Sequence, residues 1–199
     1  ILGIKKQTKA HSASFGNKLS ICGMLLALML CFFENTPILF TLNVQLLLIA
    51  LSLGSIIGLI TSKKIAMTRM PELVALFNGF GGLSSMLVGL ILAFYQQESP
   101  LALISLTTGI FIGALTFTGS LIAWLKLAEI IKSNLNSVFI KWLNMTLLLS
   151  AISLMALPFF APVQLEAALG LCFISALLGC LFVLPIGGGD MPVVIALLN

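Results

Sequence analysis

The chain reads as an all-α protein, a polytopic transmembrane helical bundle with six complete spans plus partial helices at both ends. Three observations carry that expectation. Of the 199 residues, 60% are hydrophobic and only 8% are charged. The apolar runs reach bilayer-spanning length instead of the shorter length of helices buried in a soluble core. All ten Lys and Arg residues fall where alternate threading of those runs puts them on one side.

A hydrocarbon core of about 30 Å needs about 20 apolar residues per helix, and each expected span ends where that chemistry fails. The first, 19–33, is short enough that a start near Phe15 is an alternative, and it stops at Glu34-Asn35-Thr36-Pro37. The second, 38–60, runs up to Lys63 and Lys64. The third, 71–95, opens on Pro71 and ends at Gln96-Gln97-Glu98-Ser99-Pro100. The fourth, 101–125, is followed by Lys126, and the fifth, 142–158, begins after Lys141 and stops at Pro158. The sixth, 165–185, gives way to Gly187-Gly188-Gly189-Asp190. A further span begins at Met191 and is cut off at Asn199, and residues 1–4 are expected to be the tail of another. Backbone at these breaks cannot face lipid unsatisfied, which places it at the membrane interfaces.

Threading puts Lys5, Lys6, Lys9, Lys18, Lys63, Lys64, Arg69, Lys126, Lys132 and Lys141 on one face and no basic residue on the other. Glu34, Glu98 and Glu166 fall opposite, while Glu72, Glu129 and Asp190 share the basic side. A miscounted helix would scatter the basic residues over both faces, so the split supports the span count and makes the basic side cytoplasmic, or the matrix side in an organelle. The net charge of +4 is what insertion requires, and without a basic patch interleaved with aromatics it points to no nucleic-acid partner. Cys22, Cys31, Cys172 and Cys180 lie in expected spans without a CxxC pair, so they read as small packing residues and not as a disulfide framework or zinc site. His11 stands in a polar loop without a partner ligand, so no metal is expected.

An internal repeat follows. Met70-Pro71-Glu72-Leu73-Val74-Ala75-Leu76-Phe77-Asn78 is echoed by Met191-Pro192-Val193-Val194-Ile195-Ala196-Leu197-Leu198-Asn199, at an offset of 121 residues from Pro71 to Pro192. An even number of spans lies between the copies, so both enter from the basic side in the same direction, unlike the inverted repeats of many transporters. Each opens with Pro in its first turn, where the missing N–H costs nothing. Each then carries an Asn about 10 Å deeper, roughly a third of the way into the hydrocarbon. Spacing alone favours interhelical hydrogen bonding for Asn78 and Asn199. The functional reading is that the two amides line a polar path and bond to water or an ion, since Asn does not titrate near neutral pH.

The remaining features are mostly structural. Gly54 and Gly58, Gly109 and Gly113, and the series Gly81, Ser85 and Gly89 have the small-xxx-small spacing of closely packed membrane helices, and the density of small residues over 79–89 suggests that the span carrying Asn78 is enclosed. Asp190 reads as an N-cap after a flexible Gly run, with a hinge or a proton hand-over at the mouth as the sharper alternative. Glu72 is placed to favour the start of its helix. Glu129, three residues from Lys126 and from Lys132, reads as an ordinary surface ion pair. No ionisable side chain is expected at mid-membrane, although an ion-coupled carrier normally has one.

Met70 to Leu76 of the first repeat copy, Gly109-Ile110-Phe111-Ile112-Gly113-Ala114-Leu115-Thr116-Phe117-Thr118-Gly119-Ser120, and Gly187-Gly188-Gly189-Asp190-Met191-Pro192-Val193-Val194 resemble, in order and spacing, the membrane domain of the proton-translocating NAD(P) transhydrogenase beta subunit. The resemblance spans nearly the whole chain. It implies an oxidoreductase and translocase that moves hydride between NADH and NADP+ while protons cross the membrane. NAD and NADP would be bound by domains outside this chain, so no cofactor-binding or catalytic residue is expected here. It also implies an alpha-subunit partner, a dimer of alpha-beta units in the bilayer, and a bacterial inner (plasma) membrane with cytoplasmic basic loops. Residues 1–18 would then be the end of a truncated span and a cytoplasmic loop. Residues 19–199 would be the proton-channel domain, truncated at its C-terminus, with the NADP-binding domain beyond it. Asn199 matches a channel-lining Asn of the family and Asp190 an acidic residue at the cytoplasmic mouth. Asn78 stands where many members carry the proton-relay His, which leaves the ionisable relay to a helix of the alpha partner. The competing expectation is a secondary transporter or ion channel built on the parallel repeat.

Overall fold

The computed structural model describes residues 2, 6, 10–34, 42–95, 99–131, 138–161 and 163–198. Among them are seven α-helices and no strand: α1 (Ala13–Glu34), α2 (Leu42–Lys64), α3 (Met70–Phe94), α4 (Pro100–Leu127), α5 (Val138–Ala156), α6 (Gln164–Val183) and α7 (Met191–Leu198). Five described segments are long and apolar enough to cross a membrane: Gln45–Lys64, Met67–Phe94, Pro100–Leu127, Val138–Phe159 and Gln164–Val183. That is one fewer than the six expected. The expected span 19–33 lies inside α1, whose described apolar stretch is Ser14–Leu30. The sixth expected span overran its helix by Leu184 and Pro185, since proline stops the helix at the residues before it.

The chain divides into two compact units, Ile1–Lys63 and Lys64–Asn199. In the first, Ser52, Ser55 and Thr61 of α2 fold their hydroxyls back onto the carbonyls of Leu48, Leu51 and Ile57, each at 2.7 Å. These polar groups are thereby satisfied within the helix, as an apolar surrounding demands. A Cβ on Gly54 or Gly58 would meet nothing within 4 Å, so this pair makes no close helix contact in the unit.

In the second unit α4 is the central helix, packed against α3, α6 and α7. Leu106, Ile110, Ala114, Ser120 and Ala123 along α4 are almost fully buried. Two apolar clusters hold the unit, one of Ala93, Leu106, Ile110, Ala151, Ala168 and Leu171. The other joins Ala75, Ala123, Val183, Met191, Val194 and Ile195, which brings the starts of α3 and α7 and the ends of α4 and α6 to the same end of the unit. The helix carrying Asn78 packs on α4, α6 and α7, while its Val74, Phe77, Phe80, Leu87, Val88 and Ile91 are exposed.

Glycine sets the α3–α4 spacing. A Cβ on Gly82 would lie 2.7 Å from the Gly113 carbonyl oxygen, and one on Gly113 would lie 2.5 Å from the Met86 nitrogen, so backbone touches backbone there. Of the series Gly81, Ser85 and Gly89, only Gly89 is pressed against α4, while a Cβ on Gly81 would enter open space. The expected register was therefore one residue off for its first member. Gly109 makes only ordinary contact, with Ser85.

The end of α4 also corrects an expectation. Ile130 N–H donates to Leu125 O at 3.0 Å and Glu129 N–H to Lys126 O at 3.1 Å, the paired bonds of a Schellman stop. Glu129 occupies its left-handed position with φ 58°. It has left the helix, so the helical spacing that suggested a pair with Lys126 does not apply, and Lys132 lies outside the described residues.

Gly113→Ala is expected to destabilise the protein in detergent by about 1–3 kcal/mol, since its methyl group meets backbone, whereas Gly81→Ala stays within about 0.5 kcal/mol. Thermal unfolding followed by circular dichroism checks both, and equal effects would place the helix contact elsewhere.

Candidate functional site

The sequence repeat extends into backbone geometry. Each copy begins with an extended residue, Ala66 (φ −69°, ψ 148°) in one and Gly187 (φ −69°, ψ 153°) in the other. One 3₁₀ turn follows, Met67–Arg69 or Gly188–Asp190, and then a helix opening Met-Pro. The turn closes with Arg69 N–H to Ala66 O at 2.9 Å and Asp190 N–H to Gly187 O at 3.1 Å. No described glycine has a positive φ, and Ala-Met-Thr adopts the same path, so the Gly run is not a conformational requirement of the turn. Asp190 is exposed, and among the described residues it makes no capping hydrogen bond; Glu72 lies in the first turn of α3 as expected.

Asn78, half-buried in the third turn of α3, points its amide at α4. Its Nδ2 donates to the Ser120 Oγ at 2.9 Å, and Ser120 is fully buried. One turn away on α4, Thr116 Oγ1 donates to the Leu198 carbonyl of α7 at 3.1 Å. A four-residue spacing puts both hydroxyls on one face of α4, so this helix reaches into both copies of the repeat. Asn199 lies outside the described residues. Leu198, next to it, is the residue Thr116 holds.

A cavity of about 660 Å³ lies among α3, α4 and α7, lined by Asn78, Gly81, Ser85, Thr116 and Pro192 together with apolar side chains. Gly81 thus shapes the cavity instead of a helix contact, while Ser85 does both, its hydroxyl donating to the Gly109 carbonyl of α4 at 3.3 Å. Asp190 does not line this cavity. The amide and hydroxyls can donate to and accept from water, and none of them titrates near neutral pH. Among the described residues no three His, Cys, Asp or Glu side chains group as metal ligands. Cys22, Cys172 and Cys180 are free thiols, with Cys172 Sγ 3.4 Å from Met86 Sδ; Cys31 lies outside the described side chains.

Sequence reasoning missed Ser120 and Thr116. Both stand in the Gly109–Ser120 motif, but an inventory of amides and ionisable groups passes over hydroxyls, which in helices usually bond their own backbone, as Thr107 does with Leu103 O at 2.9 Å.

The chain matches the family described as NAD(P) transhydrogenase beta subunit over residues 1–199. Two curated relatives from Rhodospirillum rubrum, each called NAD(P) transhydrogenase subunit beta, are 29% identical to it over 211 residues. The alignments cover 100% of this chain and 44% of theirs, so the chain spans less than half the length of these relatives.

Ser120→Ala removes the acceptor of the Asn78 amide and is expected to lower stability by about 0.5–2 kcal/mol. Ser120→Thr, which restores a hydroxyl, should recover part of the loss. Equal unfolding temperatures for the parent and Ser120→Ala proteins would show that the bond contributes nothing.

Proposed function

The chain belongs to the NAD(P) transhydrogenase beta-subunit family, and from that premise we propose that it forms the membrane proton-pathway part of a proton-translocating transhydrogenase. The observation that carries this reading is the Asn78–Ser120 pair beside a cavity walled by both repeat helices. In the proposed path, Asn78 and Asn199 orient water molecules that carry the proton, and Asp190, exposed at the end where the repeat helices begin, exchanges it with the cytoplasm. Hydride passes from NADH to NADP+ on other domains of the enzyme as protons move inward.

The described residues do not fit a dinucleotide. No strand precedes a Gly-rich turn, and Gly187–Gly189 lead through a 3₁₀ turn into a short apolar helix.

The alpha subunit completes the site in this reading. With Asn at position 78, the ionisable relay is a side chain on an alpha-subunit membrane helix. Absence of any intramembrane His or carboxylate in that partner would contradict this. The assembly is a dimer of alpha-beta units in a bacterial inner membrane, with the basic loops cytoplasmic. Six spans are also part of the proposal. The 22 residues of α1 extend about 33 Å, long enough for a core of about 30 Å. Only with α1 crossing do the N-terminal lysines join the other basic residues on one side.

In vesicles bearing the whole enzyme, Asn78→Ala, Asn199→Ala and Asp190→Ala are each expected to reduce transhydrogenation-driven proton uptake roughly tenfold, the effect of ~1.4 kcal/mol on a barrier. Unchanged uptake in all three would remove these residues from the path.

A further inference from the structure

One buried charge takes no part in the polar site. Lys126, in the last turn of α4, is only 5% exposed. Its ammonium donates to the carbonyl of Leu184 and, at 2.6 Å, to that of Ile186. Both carbonyls lie just past the end of α6. There helical carbonyls run out of N–H partners and the macrodipole is negative, so a cation is the matching cap. Here the cation comes from a neighbouring helix.

The capped stretch leads directly into the second repeat. Ile186 is followed by the extended Gly187, the turn Gly188–Asp190, and the fully buried Met191 that opens α7. At the other end of α7, Thr116 holds the Leu198 carbonyl. One helix therefore grips the connector and α7 at two points, Thr116 and Lys126, about 15 Å apart along α4. Ser120, the partner of Asn78, lies between these grips.

We propose that Lys126 is a positioning residue for the polar site: by capping the end of α6 it fixes the depth and rotation of α7 opposite Asn78. The functional consequence rests on reading that site as part of a proton path; the positioning itself does not. Lys126→Met keeps much of the volume and removes every donor, leaving two carbonyls without their cap. Lys126→Arg keeps a permanent cation able to donate to both.

The test uses the whole enzyme in vesicles, with its native cysteines, including the four of this chain, replaced and a cysteine introduced on α7 by Ala196→Cys, a position lining the cavity. The rate of its reaction with a membrane-impermeant methanethiosulfonate is measured beside proton uptake per hydride transferred. Lys126→Met is expected to change the thiol rate by roughly threefold or more and to lower the uptake ratio, while Lys126→Arg restores both to within about twofold of the parent. Should the Met variant fail to assemble, Lys126→Gln, with a shorter single donor group, takes its place and is expected to shift both readouts in the same direction. An unchanged thiol rate in an assembled variant without the ammonium overturns the proposal, as does an assembled Arg variant that behaves like Met. A changed thiol rate rescued by Arg, with an unchanged uptake ratio, sustains the positioning role and contradicts the proton-path reading instead.

Discussion

Contact between the backbones of α3 and α4 at Gly82 and Gly113 is the constraint on which the larger unit depends. With no side chain between them, the Gly113 carbonyl oxygen lies only 2.7 Å from where a Cβ of residue 82 would be. At that separation a short amide on one helix reaches a short hydroxyl on the other, and Asn78 meets Ser120 at 2.9 Å. A bulkier seam would push the helices apart and leave two polar groups unsatisfied in an apolar surrounding, the least tolerable outcome in a membrane. The glycines and the polar pair are therefore two parts of one arrangement.

From this seam α4 distributes its polar groups to the rest of the unit. Thr116 takes the end of α7, Ser120 takes α3, Thr118 donates to the Ala176 carbonyl of α6 at 2.8 Å, and Lys126 closes the end of that helix. Apolar packing gives little preference among helix positions in lipid, because lipid tails are as apolar as the side chains. These directional bonds add the register that packing leaves open, and they fix the second repeat copy relative to the first.

The helical class, the polar breaks and the Met-Pro starts were legible because they follow from local chemistry: runs of Leu and Ile, prolines, and charges that cannot enter hydrocarbon. The repeat was legible too, and its backbone extends four residues upstream, where Ala66-Met67-Thr68-Arg69 and Gly187-Gly188-Gly189-Asp190 share no residue. What the chain alone concealed is which helix faces which. Ser120 looked like one hydroxyl among several, and Lys126 like a charge on the surface, although it is buried. Gly81 carried the same spacing signal as Gly89, yet lines a cavity. Each depends on a neighbour more than twenty residues away in sequence, which periodicity does not encode.

The central claim is that the Asn78–Ser120 pair borders a water-filled path and is not merely glue between helices. Both roles would satisfy the amide, but only one brings bulk water to it. The direct measurement is the reactivity of an Asn78→Cys thiol, in an assembled enzyme whose other cysteines, including the four of this chain, are replaced, toward a membrane-impermeant thiol reagent applied from the proposed cytoplasmic face. The account predicts modification far faster than at Ile91→Cys, an exposed position that lines no described cavity on this seam. A thiol at residue 78 as inert as one at residue 91 would contradict it.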